Sequence, residues 1–420
     1  MDVSKFITDV ASRRKSSILQ QWSTKASSKA SSINFAIGMP NADTFPMEEI
    51  TVTYNDGTKV KLVGQELSQS LQYGPCQGHL PLQKKIREFQ EYWHKPKYPD
   101  WDIHIISGSL DGCTKVFEMT LEPGDPVMVQ VPTYTGILHA LGPLVPDFIG
   151  IRQDDDGIIP EEITRVFEER LRDKRPLPKV IYVNPTGANP TGTVLPNSRK
   201  KKIYELSQKY DFLILEDDAF FFLHFLDERP KSFLEFDTKG RVIRFDSFSK
   251  IFSAGLRLGV VTAHRGFIEK LIAHAEVTSV HAASLSQMLL YKFLETRDME
   301  TLQQHFDTIR RFYRERRDIM LAIIQKHLAG LVEYVIPKGG MFVWMKVIGL
   351  DDVMDLAANK CSSRDVLFLP GHAHNYDLSQ PDQYIRLSYT NTSAEEMEKG
   401  ISILAKMLRE EINEKTRRKS

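Results

Sequence analysis

Phe212-Leu213-Ile214-Leu215-Glu216-Asp217-Asp218 is a run of four apolar residues that ends directly in three carboxylates. Successive side chains of a strand point to opposite faces, so an unbroken apolar run implies a strand buried on both sides, as in a sheet covered by helices. The surrounding sequence repeats the pattern: β-rich runs at 103–106, 127–131, 180–183, 242–245 and 258–261 alternate with helical stretches. Between 180–183 and 212–215, Pro196 fits a first helical turn, and Ile203, Leu206 and Tyr210 follow on one face. This alternation over residues 101–261 predicts an α/β fold with a mainly parallel sheet between helices. Ligands of such a sheet bind at the carboxyl ends of its strands.

Beyond this region, Leu302, Phe306, Ile309, Tyr313, Met320 and Ile323 mark a long amphipathic helix that leads into a second lobe. The arginines between 310 and 317 read as its solvated face. Strands of the second lobe are expected at 341–347 and 384–389. Its last helix opens at Ser393 with Glu396 three residues on, a capping box, and then shows Met397, Ile401, Leu404 and Leu408 on one face. A chain of 420 residues exceeds what one core accommodates. The expected division is an N-terminal arm over 1–45, a large domain over 46–300 and a small α+β domain over 301–420.

Lys and Arg number 55, as do Asp and Glu, so no net field draws the chain to nucleic acid or anionic lipid, and small-molecule ligands are expected. No stretch approaches the roughly 18 apolar residues of a membrane span. Cys76, Cys113 and Cys361 are far apart and odd in number, which suits buried thiols in a reducing compartment rather than a disulfide framework. The expected location is cytoplasmic. A mitochondrial one is the alternative, because the Ser-rich start with Arg13, Arg14 and Lys15 loosely fits a transit segment, although Asp2 and Asp9 count against it.

Three segments that follow strands carry chemistry. The carboxylates at 216–218 need a partner, because a charge out of water is costly unless paired. A pyridine nitrogen kept protonated by such a neighbour makes its ring an electron sink; a strand-end turn or a metal ligand is the plainer alternative, and no His-rich set lies nearby to support the metal. In Arg244-Phe245-Asp246-Ser247-Phe248-Ser249-Lys250, followed by Gly255-Leu256-Arg257-Leu258-Gly259, two serines and Arg257 suit a phosphate. Lys250 there offers an amine that a carbonyl cofactor captures as a Schiff base, although the segment alone reads equally well as a solvated basic loop. Asn184-Pro185-Thr186-Gly187-Ala188-Asn189-Pro190-Thr191-Gly192 is set in tight turns that can hold one Asn amide on a ring oxygen. His372 and His374 flank Ala373 and, without further ligands close by, read as a loop near the site mouth rather than a metal pair.

In this order and spacing, NPTG, EDD and SFSK resemble the fold type I pyridoxal-phosphate (PLP) aminotransferases, within them the kynurenine/2-aminoadipate and fungal aromatic subgroup. The likeness extends from Phe35-Ala36-Ile37-Gly38-Met39-Pro40 to the strand of Arg386. It implies a large domain with a mainly parallel seven-stranded sheet and a smaller α+β domain. By the same resemblance Lys250 is the Schiff-base lysine and catalytic acid/base, Asp218 pairs the pyridine nitrogen, Asn189 bonds the ring hydroxyl oxygen and Tyr134 stacks on the ring. Ser109 and the backbone of Leu110, at a helix start that suits an anion, form the phosphate site with Ser247, Ser249 and Arg257. Tyr73 would reach the phosphate of a neighbouring subunit, which implies a homodimer with shared active sites. Arg386 would clamp the substrate α-carboxylate bidentately, with Gly38, Asn189 and Leu19 also at the substrate.

The chain departs from the family where Pro-Tyr-Tyr usually follows the acidic pair. Ala219-Phe220-Phe221 stands there, so Phe221 replaces the tyrosine whose hydroxyl donates to the ring oxygen. The phosphate turn, usually Ser-Gln-Gln or similar, reads Ser109-Leu110-Asp111, which loses polar side chains and keeps the backbone donors. Ser16-Ser17-Ile18-Leu19 stands where the subgroup tends to show Pro-Ser-Pro and mammalian-type enzymes carry an arginine in the substrate pocket. The resemblance implies transamination of a large L-amino acid (aromatic, kynurenine or 2-aminoadipate) with a 2-oxoacid such as 2-oxoglutarate. Fold does not fix function, so a β-eliminating C–S lyase is the alternative, and a PLP-binding regulatory protein with vestigial catalysis a third.

Overall fold

The computed structural model describes residues 1–18, 21, 22, 35 and 38–419; Leu19 and the Ala36-Ile37 pair lie outside them. The chain forms two compact units, each assembled from two stretches: Met1–Glu122 with Ser232–Gln303, and Pro123–Lys231 with Gln304–Ser420.

In the first unit, Gly259–His264 lies antiparallel to both Trp101–Ile106 and Val242–Ser247, with Gly259 opposite Ile106 on one side and Ser247 on the other. This register brings the segment after Ile106 and the segment after Ser247 to the same sheet end. The helix Ser109–Thr120 begins there. Its Gly112 packs so closely that a Cβ would stand 2.5 Å from Ile106 Cδ1, which is why a helix interior tolerates glycine here. A hairpin of Ile50–Thr53 and Lys59–Leu62 closes a small separate core of Val60, Leu62, Leu67 and Met288.

The second unit holds the parallel run. Leu213–Asp217, Val180–Val183, Pro126–Val131 and Asp147–Asp154 pair in that order, and every residue of the first two strands is buried, as expected of strands covered on both faces. The α/β expectation therefore holds, with two differences. The antiparallel Gly259–His264 is one. The other is that eight strands carry this pattern among the described residues rather than seven, because Gly157–Ile158 turns back on Asp147–Asp154 through Gly157 at φ +86.

The same unit contains an antiparallel sheet of Val332–Tyr334, Phe342–Val347, Tyr384–Ser388 and Leu369–Pro370. Val343, Met345, Val347, Ile385 and Leu387 join Met320, Ile324 and Leu328 of the helix Met299–Leu328 and Leu404 and Leu408 of the helix Ala394–Lys419 in one core. Each such side chain contributes about 1.5–3 kcal/mol by leaving water. Period-2 alternation then puts Phe342, Trp344, Tyr384 and Arg386 on the opposite face, only half-buried. The capping box forms as expected, with the Ser393 N–H donating to Glu396 (2.7 Å) and the Glu396 N–H to the Ser393 hydroxyl (3.1 Å).

The arginines of 310–317 are only in part a solvated face: Arg311 and Arg314 are exposed, but three of the run also serve loop carbonyls. Arg314 donates to the Phe225 carbonyl (2.7 Å), Arg316 to that of Tyr389 (2.6 Å) and Arg317 to that of Pro337 (2.8 Å). Loop carbonyls without ladder partners need donors, and these side chains supply them.

Candidate active site

Each unit gathers one cluster of the expected residues. In the first unit the cluster forms around Gly259, where a Cβ would stand 2.8 Å from the Asp246 carbonyl and 3.0 Å from the Ser109 nitrogen. Gly108, at φ +94, precedes the helix Ser109–Thr120, whose start no side chain caps. A Cβ on Gly108 would collide with Arg257 Nη2, so the guanidinium lies across the helix start. Arg257 Nη1 donates to Ser249 Oγ (3.4 Å) and the Ala254 carbonyl (3.3 Å), and the Ser249 N–H donates to Ser247 Oγ (3.3 Å). The first amides of a helix have no intrahelical acceptor and carry partial positive charge. With two hydroxyls and a guanidinium they make a cradle for a multiply charged anion. Lys250 follows, half-buried.

In the second unit, Asn184 ties together the carboxyl ends of three parallel strands. Its N–H donates to Gln130 Oε1 (2.8 Å), its Nδ2 to the Asp217 carbonyl (2.6 Å), and its Oδ1 accepts from the Asn189 N–H (2.8 Å). Tyr182 donates to Asp217 (2.7 Å), which gives that carboxylate a structural partner, and Asp218 beyond it is 2% exposed. Asn189 Oδ1 accepts from Arg386 Nη1 (2.9 Å), and the Arg386 guanidinium rests 4.0 Å from the Phe342 ring centroid. Trp344 is the cross-strand neighbour of Arg386 and stacks on Tyr384 at 5.1 Å. Burial pulls Arg386 down to about 10, partly offset by Tyr134, and a base with that value stays charged at neutral pH.

Several residues that hold this geometry carry no signal in their local sequence. Gly136 lies under the Tyr134 ring, where a Cβ would stand 2.5 Å from Cζ. His374 is fully buried: its Nδ1 bonds the Thr133 carbonyl (2.7 Å), and its own carbonyl accepts from the Thr133 N–H (3.0 Å). It is thus a latch on the turn that presents Tyr134, held in the short turn Gly371–His374, and no set of three metal-capable side chains occurs among the described residues. Gly340 packs on Gly187 so closely that its Cβ would stand 2.6 Å from the Gly187 carbonyl. The Gly340 carbonyl accepts from the buried Tyr389 hydroxyl (2.6 Å), and its N–H donates to the Leu223 carbonyl (3.0 Å). The Gly-Gly pair before a strand was the one available hint.

Of the remaining expected residues, Phe221 sits next to Asp218, to whose carbonyl its N–H donates (3.1 Å). Phe221 is buried, edge-on to Phe222 at 5.0 Å with Arg229 5.7 Å from its ring. Tyr73 is 61% exposed, and Gly38 is exposed with open space around it. Cys76, Cys113 and Cys361 are buried free thiols, and burial pushes the first and last up to about 11.

Residues 31–404 match the family model described as aminotransferase class I and II. The chain is 36% identical to the mitochondrial kynurenine/alpha-aminoadipate aminotransferase of Bos taurus, over 98% of this chain and 100% of that protein. It is 33% identical to an aromatic amino acid aminotransferase of Schizosaccharomyces pombe over 75% of each. Among solved structures, the aromatic aminotransferase Aro9 from C. albicans matches with a TM-score of 0.87 at 28% identity over 98% of both chains. The Pyrococcus horikoshii kynurenine aminotransferase, solved in complex with PMP, KYN as substrates and KYA as products, matches at 0.77, also at 28% identity over 98% of both. Fold and clusters together define a fold type I, PLP-dependent transaminase. The chain belongs to the class I and II aminotransferase family. The relatives named here are all aminotransferases, so the lyase alternative receives no support. The residues also fit the cofactor: a glycine-lined helix start under a guanidinium suits its phosphate, and a buried carboxylate at a strand end suits its ring nitrogen. Among the described residues, no helix is long and apolar enough to cross a membrane.

Proposed function

We propose that this aminotransferase acts on large L-amino acids, whether aromatic, kynurenine or 2-aminoadipate, with a 2-oxoacid such as 2-oxoglutarate as amino acceptor. The observation that carries this is the Arg386 platform: a charged fork seated on Phe342 and flanked by Trp344 suits an α-carboxylate whose side chain is large and flat. The aromatic and kynurenine names of the relatives agree with it.

In this reading Ser109, Leu110, Ser247, Ser249 and Arg257 hold the cofactor phosphate, Asp218 its ring nitrogen and Asn189 its ring oxygen, while Tyr134 covers the ring face. Phe221 lies beside the ring oxygen without a hydroxyl to offer it. Bound PLP supplies a carbonyl for the amino group and an electron sink for the pair left on the α-carbon. Lys250 holds the cofactor covalently at rest and, once released, carries the proton lost from the substrate α-carbon. Arg386 orients the substrate through its carboxylate, with Asn189 fixing the fork, and Gly38 and Leu19 border the substrate. Two half-reactions sharing one site give ping-pong kinetics.

The exposed Tyr73 supports a homodimer in which its hydroxyl serves the neighbouring subunit's phosphate. The three buried thiols agree with the reducing cytoplasm; the mitochondrial names of some relatives keep that organelle as the alternative. The test is a screen of the twenty amino acids, kynurenine and 2-aminoadipate against 2-oxoglutarate. Oxoacid formation that requires the second oxoacid and favours large side chains is expected. A preference for small or acidic four-carbon substrates would overturn the substrate class.

A further inference from the structure

We propose that Lys115 is a charge-compensating residue for the cofactor phosphate: it pairs with Asp111 so that this carboxylate does not repel the anion bound at Ser109 and Arg257. The inference rests on the reading of the Gly108 and Arg257 cradle as the phosphate site.

Asp111 is the third residue of the helix that opens at Ser109. Its Oδ2 accepts from the Ser107 N–H at 3.2 Å, which folds the carboxylate back along the first turn, beside the amides that face the anion. A carboxylate there favours the helix itself, because it meets the positive end of the macrodipole. A bound phosphate within about one turn, roughly 5 Å, changes the balance, since like charges in a partly buried site repel and weaken each other's binding. Lys115, one turn further on, places Nζ 2.5 Å from Asp111 Oδ1; its side chain is 5% exposed and that of Asp111 29%. The other titratable groups around Lys115 are Arg14, Lys270, Glu118, His104 and His274; burial pulls both histidines down and leaves them uncharged at neutral pH, and Glu118 is engaged by His274 at 3.0 Å. Asp111 is therefore the carboxylate that Lys115 neutralises, and the pair leaves the helix start net positive for its ligand.

The full-length apoprotein is titrated with PLP and with pyridoxal, which has the same ring and aldehyde but no phosphate, and the ratio of the two dissociation constants is followed. Lys115→Met is expected to weaken PLP about tenfold relative to pyridoxal, the scale of one uncompensated nearby charge. Asp111→Asn with Lys115→Met should restore the ratio to within about threefold, since the amide still accepts from Ser107. Asp111→Asn alone should tighten PLP, which keeps the idea testable if Lys115→Met does not fold. Equal losses for both compounds in Lys115→Met would mean a merely structural lysine and would sink the proposal. So would a double variant that does not recover, or weaker PLP binding in Asp111→Asn. Arg257→Gln separates the two claims. If it weakens PLP relative to pyridoxal while Lys115→Met does not, compensation fails and the cradle stands; if it leaves the ratio unchanged, the cradle reading fails and this inference with it.

Discussion

A guanidinium that rests on an aromatic ring and spends one donor on an amide keeps the rest of its fork for a carboxylate, and Arg386 is in that position. Arg386→Ala should lose about 2–5 kcal/mol in kcat/KM for both amino acid and oxoacid, as when one member of a desolvated charge pair is removed. Arg386→Lys should recover only part, because a point charge cannot reproduce the planar contact with Phe342. An unchanged kcat/KM in the alanine variant would remove Arg386 from the site. For Lys250, borohydride reduction of the holoenzyme followed by peptide mapping should find the cofactor on that residue, and Lys250→Ala should show none attached; label on another lysine would refute the assignment. These groups were legible because their own chemistry is written in their local motifs. Gly136 and His374 were not, since one only leaves room for the Tyr134 ring and the other acts through its neighbour Thr133, 241 residues away in the chain.

The junction at Gly339-Gly340 joins the turn that carries Asn189, the segment after Asp218 and the end of the Arg386 strand, through Gly187, Leu223 and Tyr389 respectively. Tyr389→Phe keeps the buried ring and strips the donor from the Gly340 carbonyl. It should cost about 1–3 kcal/mol in chemical denaturation, the range for a buried acceptor left unmade. Stability equal to the parent protein would show that another donor takes over. At this scale the strands could be read from apolar runs, but two kinds of element escaped. A strand buried on both faces shows no mark of its direction, so the strand read at 258–261 gave no sign of being antiparallel, and two-residue strands such as Gly157–Ile158 are too short to show a period. The roles of Arg314, Arg316 and Arg317 escaped for a related reason: a charge run looks wholly solvated until the distant carbonyls it serves are known.

Three buried histidines contribute to the response of the molecule to acid. Burial pushes His104, His224 and His374 down to about 4, helped by Lys115, Arg310 and Arg386 in turn. In the unfolded chain each takes up a proton near pH 6.5. Above that pH they cost nothing. As pH falls from about 6.5 towards 4 the unfolded state binds protons that the folded state refuses, so stability drops, by up to about 3 kcal/mol per group, and levels off below. The denaturation midpoint of the apoprotein should fall across that window, and His104→Gln should flatten the slope; an unchanged slope would show that His104 titrates normally. The interleaved path of the chain, 1–122 and 232–303 in one unit, 123–231 and 304–420 in the other, acts on a different clock. On the ribosome, Trp101–Ile106 emerges roughly 150 residues before its partner Gly259–His264, a wait of roughly 8–30 s at ordinary rates of translation. The first unit cannot close before residue 303 has been made, and the nascent chain carries an unpaired apolar strand while roughly 150 of its 420 residues are added, which makes it a natural client for chaperones.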